Sequence, residues 1–240
     1  MRTHQNREHA GWVAFFDGLH GDSDQLLSRK EAERYVATLT SALPLDSRAR
    51  VLEFGCGYGF AAQALAPRVG EVSLWEPAAS KEQVARTNLA GCPNARFLDL
   101  SNPQALPHDL AVDLILVNSV VQYMRPDEFL AWLPRWRGML APGGSVVISD
   151  IIPPDHRSWE DTTALLQFSV QEGCVLAAVG NMLGEARAYW RMQRRYPLFQ
   201  IAREWLSDVG AANGLNVRFL PRNLTHFPKR VTAILSATGE

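Results

Sequence analysis

Val51-Leu52-Glu53-Phe54-Gly55-Cys56-Gly57-Tyr58-Gly59 is the stretch from which the rest of this chain can be read. The apolar run Arg50–Phe54 reads as a short strand, the alternating glycines as a turn, and Phe60–Ala66 as the helix that follows. Glycines at such a turn let a ligand come against the backbone where side chains would collide, and the helix start presents free amides to it. A nicotinamide-binding turn prefers G-x-G-x-x-G, yet Phe60 stands where the third glycine would fall. Glu53 is more telling. A carboxylate beside the turn opposes a pyrophosphate and suits a ligand that carries an ammonium group.

Outward from this turn the pattern keeps alternating. Upstream, residues 28–43 open on Ser28-Arg29-Lys30-Glu31, which has capping-box form, and place Ala32, Tyr35, Val36, Leu39 and Leu43 at helical spacing before Pro44 stops them. Downstream come a strand at Val72–Trp75, a helix from Ser80 to Ala90 closed by Gly91, and strands at Ala95–Leu98 and Val112–Asn118. Pro126 opens a helix bearing Phe129, Leu130, Leu133, Trp136 and Leu140, with a kink expected at Pro134. The turn Ala141-Pro142-Gly143-Gly144 leads into a strand at Ser145–Asp150. A helix near Phe199–Asn213 precedes two β-like runs, Leu215–Leu220 and Arg230–Ala237, whose adjacency predicts an antiparallel edge on a parallel sheet. Pro153 to Pro197 breaks the alternation. It reads as two helices, with Gly173, Gly180 and Gly184 as candidate breaks, inserted at the sheet edge where α/β proteins bind ligands.

Bulk composition narrows the partners. A chain of 240 residues, 47% hydrophobic, closes one sizeable core, so one domain is expected over 1–240. With 24 basic and 25 acidic residues, net charge −1, no global field holds it on nucleic acid or anionic lipid. No apolar run approaches the roughly 18 residues of a membrane helix, and the polar N-terminus lacks a secretory signal, so a cytoplasmic location is expected. Cys56, Cys92 and Cys174 are scattered and odd in number, and the six histidines form no H-x-x-x-H pair. Neither a disulfide framework nor a metal site is expected.

The glycine motif resembles the first motif of the class I S-adenosylmethionine-dependent methyltransferases, E/D-x-G-x-G-x-G, matched by Glu53, Gly55, Gly57 and Gly59. The resemblance continues in order. Glu76 follows the second strand where the family places an acid on the ribose hydroxyls, and Asp99 follows the third where an acidic residue meets the adenine amino group. Val112–Asn118 looks like the fourth strand, ending in Asn118, and Leu140–Gly144 like the family's L-x-P-G-G turn. The resemblance implies a Rossmann-like, doubly wound, mostly parallel seven-stranded sheet with an antiparallel last strand. Around it we expect an N-terminal helical cover over 1–45, a cofactor-binding core over 46–150, a helical lid insertion over 153–197, and a final helix and strands over 198–240. The implied cofactor is S-adenosylmethionine, leaving as S-adenosylhomocysteine.

Asn118-Ser119-Val120-Val121-Gln122-Tyr123 narrows the acceptor. It lacks the N/D-P-P-Y/F/W motif of base-amino methyltransferases, and Cys92-Pro93 lies before the third strand, away from where cytosine-C5 enzymes carry their nucleophile. The N-S-V-V-Q-Y-M stretch is similar to methyltransferases of natural-product pathways, including those embedded in nonribosomal peptide synthetases. A small-molecule or carrier-bound acceptor is expected, oxygen favoured over nitrogen, in a monomer or homodimer. The sulfonium brings its own activation, so the protein mainly positions the acceptor, with a base helping a hydroxyl. His156, just beyond the fifth strand, and His20, before the first helix, are the candidate bases, with His226 farther from the expected cleft. Tyr123 could orient the acceptor or face the sulfonium. Trp159, Phe168, Tyr189 and Trp190 could form an apolar lid. Arg187, Arg191, Arg194 and Arg195 share a helix face that is either an anion site or solvated surface, and Trp12, Phe15 and Phe16 could cover the donor. Two other readings stay open, a nicotinamide-dependent oxidoreductase and a fold of this kind retained for non-methylating work.

Overall fold

A computed structural model of the chain describes residues 7–19, 22–100 and 110–238. Its elements run α1 (Arg7–Asp17), α2 (Asp22–Ala42), β1 (Arg50–Phe54), α3 (Phe60–Leu65), β2 (Glu71–Trp75), α4 (Ala79–Asn88), β3 (Ala95–Phe97), β4 (Val112–Asn118), α5 (Pro126–Met139), β5 (Leu140–Ile151), α6 (Ser158–Gln171), α7 (Val175–Arg195), α8 (Arg203–Ala212), β6 (Leu215–Phe219) and β7 (Val231–Ala237). The strands form one seven-stranded sheet in the order β3-β2-β1-β4-β5-β7-β6. β1 to β5 are parallel, and β7 is antiparallel to both β5 and β6. The chain moves outward from β1 to β3, then returns to place β4 on the other side of β1. That reversal opens a crevice at the carboxyl ends of β1 and β4, where side loops part and a ligand can enter.

Burial explains the strand composition. Val51, Leu52 and Phe54 in β1 and Ile115, Leu116 and Val117 in β4 are fully buried, as expected when helices cover both faces of a parallel sheet. On one face Phe54 packs against Trp75, Trp132 and Trp136, with ring centroids at 4.5, 4.6 and 5.3 Å. Tyr35, Leu39, Leu65 and Ala85 from α2, α3 and α4 close the other face. Each fully buried large side chain contributes about 2–3 kcal/mol through loss of apolar surface from water.

Four boundaries differ from the sequence reading. α2 starts at Asp22, six positions before Ser28, so Ser28-Arg29-Lys30-Glu31 lies inside the helix and caps nothing. Ser/Thr and Glu one turn apart share a face anywhere in a helix, so the spacing alone cannot mark an end. α5 continues through Pro134 to Met139. β5 begins at Leu140 and carries the Pro142-Gly143-Gly144 turn within it as a shift of register against β4 between Val112 and Leu114. Gly144 is required there because a Cβ would sit 2.9 Å from the Ala141 carbonyl oxygen and 3.0 Å from that of Val112. The insertion is two helices broken once, at Gly173 with φ 70°, whereas Gly180 and Gly184 lie within α7. Among the described residues no helix is long and apolar enough to cross a membrane, and no cluster of three or more metal-ligating side chains occurs.

Candidate active site

Parallel registry assembles the site from separate parts of the chain. Glu53 pairs in register with Leu74 and with Leu116, so Glu53, Glu76 and Asn118 fall along one edge of the sheet. Above that edge lies a cavity of about 330 Å³, within the range of small-ligand sites. Glu53, Gly55, Gly57, Glu76 and Asn118 line it, as do Trp12 and Phe16 of α1 and a stripe from α2. Gly59 packs beneath the loop, where a Cβ would meet Leu89 and Ala85 at 3.0 and 3.1 Å. Asp99 is exposed and outside the cavity lining, and engages a partner elsewhere.

The three glycines of the loop all have positive φ, but for different surroundings. A Cβ on Gly55 would stand 2.6 Å from Val120 Cγ2, so packing excludes one. A Cβ on Gly57 would meet nothing within 4 Å. That open space belongs to the cavity. Gly57 N–H donates to Glu76 Oε2 at 2.7 Å and Ala78 N–H to Glu76 Oε1 at 2.9 Å, so the Glu76 carboxyl ties the loop to the start of α4. Each of its oxygens keeps a lone pair that can accept a further hydroxyl.

Glu53 is 6% exposed, and its Oε2 has no hydrogen-bond partner. Burial pushes its pKa up to about 8, reinforced by Glu76 and opposed by the Ala62 amide. Asn118 Oδ1 is likewise buried without a partner. Buried acceptors in want of a donor, beside an open glycine backbone, suit a ligand that brings a cationic donor group. The residues are therefore chemically compatible with the cationic, hydroxyl-bearing donor that the glycine motif implies.

The candidate bases are distributed differently from expectation. His156 is buried between acids of its own segment, Nε2 2.9 Å from Asp161 Oδ2 and Nδ1 3.5 Å from Glu160 Oε2, and does not line the cavity. His20 lies outside the described residues. His226, expected farther away, does line the cavity because the segment between β6 and β7 folds back over it. Tyr123 lines it too, with Trp12 and Phe16 both at 4.8 Å. Its hydroxyl donates to that of Tyr189, and burial keeps its pKa well above the usual tyrosine value, so it orients rather than takes protons.

Of the expected lid aromatics, Phe168 is buried against His226 and Tyr189 packs on Trp12 and Phe15. Trp159 and Trp190 face outward, 61% and 62% exposed. Arg194 and Arg195 cover the Trp190 and Tyr196 rings, and neither they nor Arg191 line the cavity, whereas the Arg187 side chain lies outside the described part. Four of the cavity residues that the sequence reading did not place in the site sit on α2. Asp24, Ser28, Glu31 and Tyr35 all line the cavity. Their spacing of four, three and four is one helix face, so a polar stripe at helical period carried the signal.

Comparison with known proteins gives a consistent picture. Residues 52–146 match a family model described as a methyltransferase domain. The chain is 33% identical over 152 residues to the trans-aconitate 2-methyltransferase of Variovorax paradoxus, covering 63% of this chain and 56% of that protein. The chain thus spans about half the length of that curated relative. To the trans-aconitate 2-methyltransferase of Paracidovorax citrulli it is 28% identical over 215 residues, 80% of each chain. Among solved structures, the DhpI–SAH complex superimposes with a TM-score of 0.57 at 17% identity, covering 99% of this chain and 100% of that one.

Proposed function

We propose that this chain, whose residues 52–146 match a methyltransferase domain, is a class I S-adenosylmethionine-dependent methyltransferase that transfers a methyl group from S-adenosylmethionine to a hydroxyl or amine of a small molecule. The observation that carries this reading is the Glu53 carboxyl, buried with an unpartnered oxygen beside the open face of Gly57. A cation supplied by the ligand satisfies that oxygen, and a pyrophosphate does not. Glu53 and Asn118 hold the ammonium end of the donor, Glu76 takes its ribose hydroxyls, and the Gly55–Gly59 loop gives the backbone close approach. We assign Asp99 to the adenine end on the resemblance alone, since it does not line the cavity.

Bound S-adenosylmethionine supplies a methyl group on a sulfonium whose thioether is a good leaving group. The protein then has to orient, desolvate and accept a proton. Tyr123, held by Trp12, Phe16 and Tyr189, fixes one wall against which the acceptor rests. α1 and α2 contribute Trp12, Phe16 and Tyr35 to the cavity wall, and the low polarity of these rings strengthens electrostatic contacts made beside them. The names of the curated relatives refer to a small carboxylic acceptor, and this supports a small-molecule acceptor here. We further propose that residues 1–240 work as one unit, cover, core, insertion and final strands together, acting in the cytoplasm as monomer or homodimer.

Isothermal titration calorimetry with S-adenosylmethionine, S-adenosylhomocysteine and NADH tests the donor. Micromolar binding of the first two alone supports the reading, and binding of NADH alone replaces it with an oxidoreductase.

A further inference from the structure

The cavity holds a second polar feature that the methyl donor does not account for. Glu31 of α2 and His226 face each other there, Oε1 and Nε2 3.6 Å apart. The imidazole is clamped between Phe168 and Phe227, centroids at 4.3 and 3.9 Å, and its Nε2 is buried without a hydrogen-bond partner. Two polar atoms at this separation are too far apart to satisfy each other, yet one hydroxyl oxygen can lie about 2.8 Å from both. Around them the walls are rings, Trp12, Phe16, Tyr123 and Phe227.

Charge defines what can enter. Among the described lining residues the carboxyls are Asp24, Glu31, Glu53 and Glu76, against one primary amine, Lys81. Lys81 is already engaged, 3.3 Å from Asp24 and 3.9 Å over the Tyr58 ring. Behind His226, Arg230 is bound by Asp150 and Asp161, and Arg34 by Glu172. Among the described residues that line the chamber no cation is left for an anion, so the carboxylates of a polycarboxylate would be buried there unpaired.

We propose that Glu31 takes the proton of an uncharged aromatic alcohol or phenol seated among these rings, while His226 Nε2 donates to the same oxygen and holds it. The inference rests on the methyl-transfer reading. The acceptor's O–H bond breaks as its proton passes to the Glu31 carboxylate, the oxygen's electron pair forms the new O–CH3 bond, and the departing C–S pair stays on sulfur. The apolar, ring-lined surroundings also explain the direction of both titrations. Burial pushes Glu31 up to about 8, with Asp150 and Asp24 adding to it and Arg230 opposing, whereas burial holds His226 down to about 4. Because 35% of the Glu31 side chain opens to the cavity, water there moderates its rise. Glu31 is the stronger base of the two, and its pKa is nearer that of a phenol.

The test uses the full chain loaded with S-adenosylhomocysteine, with 2-naphthol and trans-aconitate as probes in calorimetry, followed by methyl transfer from S-adenosylmethionine to 2-naphthol across pH 6–9.5 with Glu31→Gln and Glu31→Asp beside the parent. We expect 2-naphthol to bind and trans-aconitate not to bind. The rate should rise with pH to a plateau above about 8, fall on the order of 100-fold in Glu31→Gln with loss of that rise, and recover in part in Glu31→Asp, with S-adenosylhomocysteine affinity unchanged in both. Preferential binding of trans-aconitate, failure of 2-naphthol to bind, or a Glu31→Gln protein with the parent's rate and pH profile overturns the proposal. Failure of the parent to bind S-adenosylhomocysteine at all overturns the methyl-transfer reading instead.

Discussion

Glu53 shows how one side chain can report on a ligand. A carboxyl that burial raises to about 8 is mostly protonated in the free protein at neutral pH, and a cationic ligand favours its ionised form. Binding of S-adenosylmethionine at pH 7 is therefore expected to release protons, and its affinity to rise with pH until about 8, where the free carboxyl has already ionised. Calorimetry at pH 7 in buffers of different ionisation heat measures the proton count. Glu53→Gln should weaken binding at least ~10-fold and remove the pH dependence, since a charge-assisted contact of roughly 1.5–3 kcal/mol is lost. Glu53 itself was legible in the sequence because its motif is local. Glu31 was not, because its value lies in facing His226, which is 195 positions away in the chain.

At the scale of elements, the loop after β1 separates folding from binding. Gly55 and Gly57 both have positive φ, which strains any side-chain-bearing residue by about 1–3 kcal/mol. Gly55→Ala adds a clash with Val120 and should lower stability further, whereas Gly57→Ala places its methyl in open cavity. Denaturant titration should find Gly55→Ala the less stable of the two. Donor affinity should fall at least ~10-fold in Gly57→Ala, whose loss of stability is no more than the backbone strain. Helix ends were the least legible feature of the sequence. α2 was placed six residues late because a polar stripe facing the cavity imitates a capping box.

The whole molecule is pinned where β5, α6 and the start of β7 meet. Arg230, its side chain 9% exposed, bridges Asp150 of β5, which is 1% exposed, and Asp161 of α6. It also covers the Phe227 ring at 4.3 Å. Asp150 itself holds φ 71°, further tied by Asn223 and Thr225, so the network sets the loop that carries His226. Arg230→Met leaves two carboxylates uncompensated and should cost about 3–5 kcal/mol in chemical denaturation. Adding Asp150→Asn should recover part of it, a coupling that a double-mutant cycle reads directly.

The sequence by itself determined the strand-and-helix alternation, the glycine loop, the acid at the end of β1 and the antiparallel edge. Each of these is written in residues close together in the chain, where hydrophobic period, turn chemistry and charge act over a few positions. Tertiary structure alone decided which titratable groups share the cavity. Parallel registry brought Glu53, Glu76 and Asn118 to one edge, the packing of α2 turned Glu31 inward, the return from β6 to β7 delivered His226, and the fold left His156 among its own acids. Those placements follow from burying apolar faces of distant elements against one another, a long-range requirement that leaves no local mark on the polar residues it carries along.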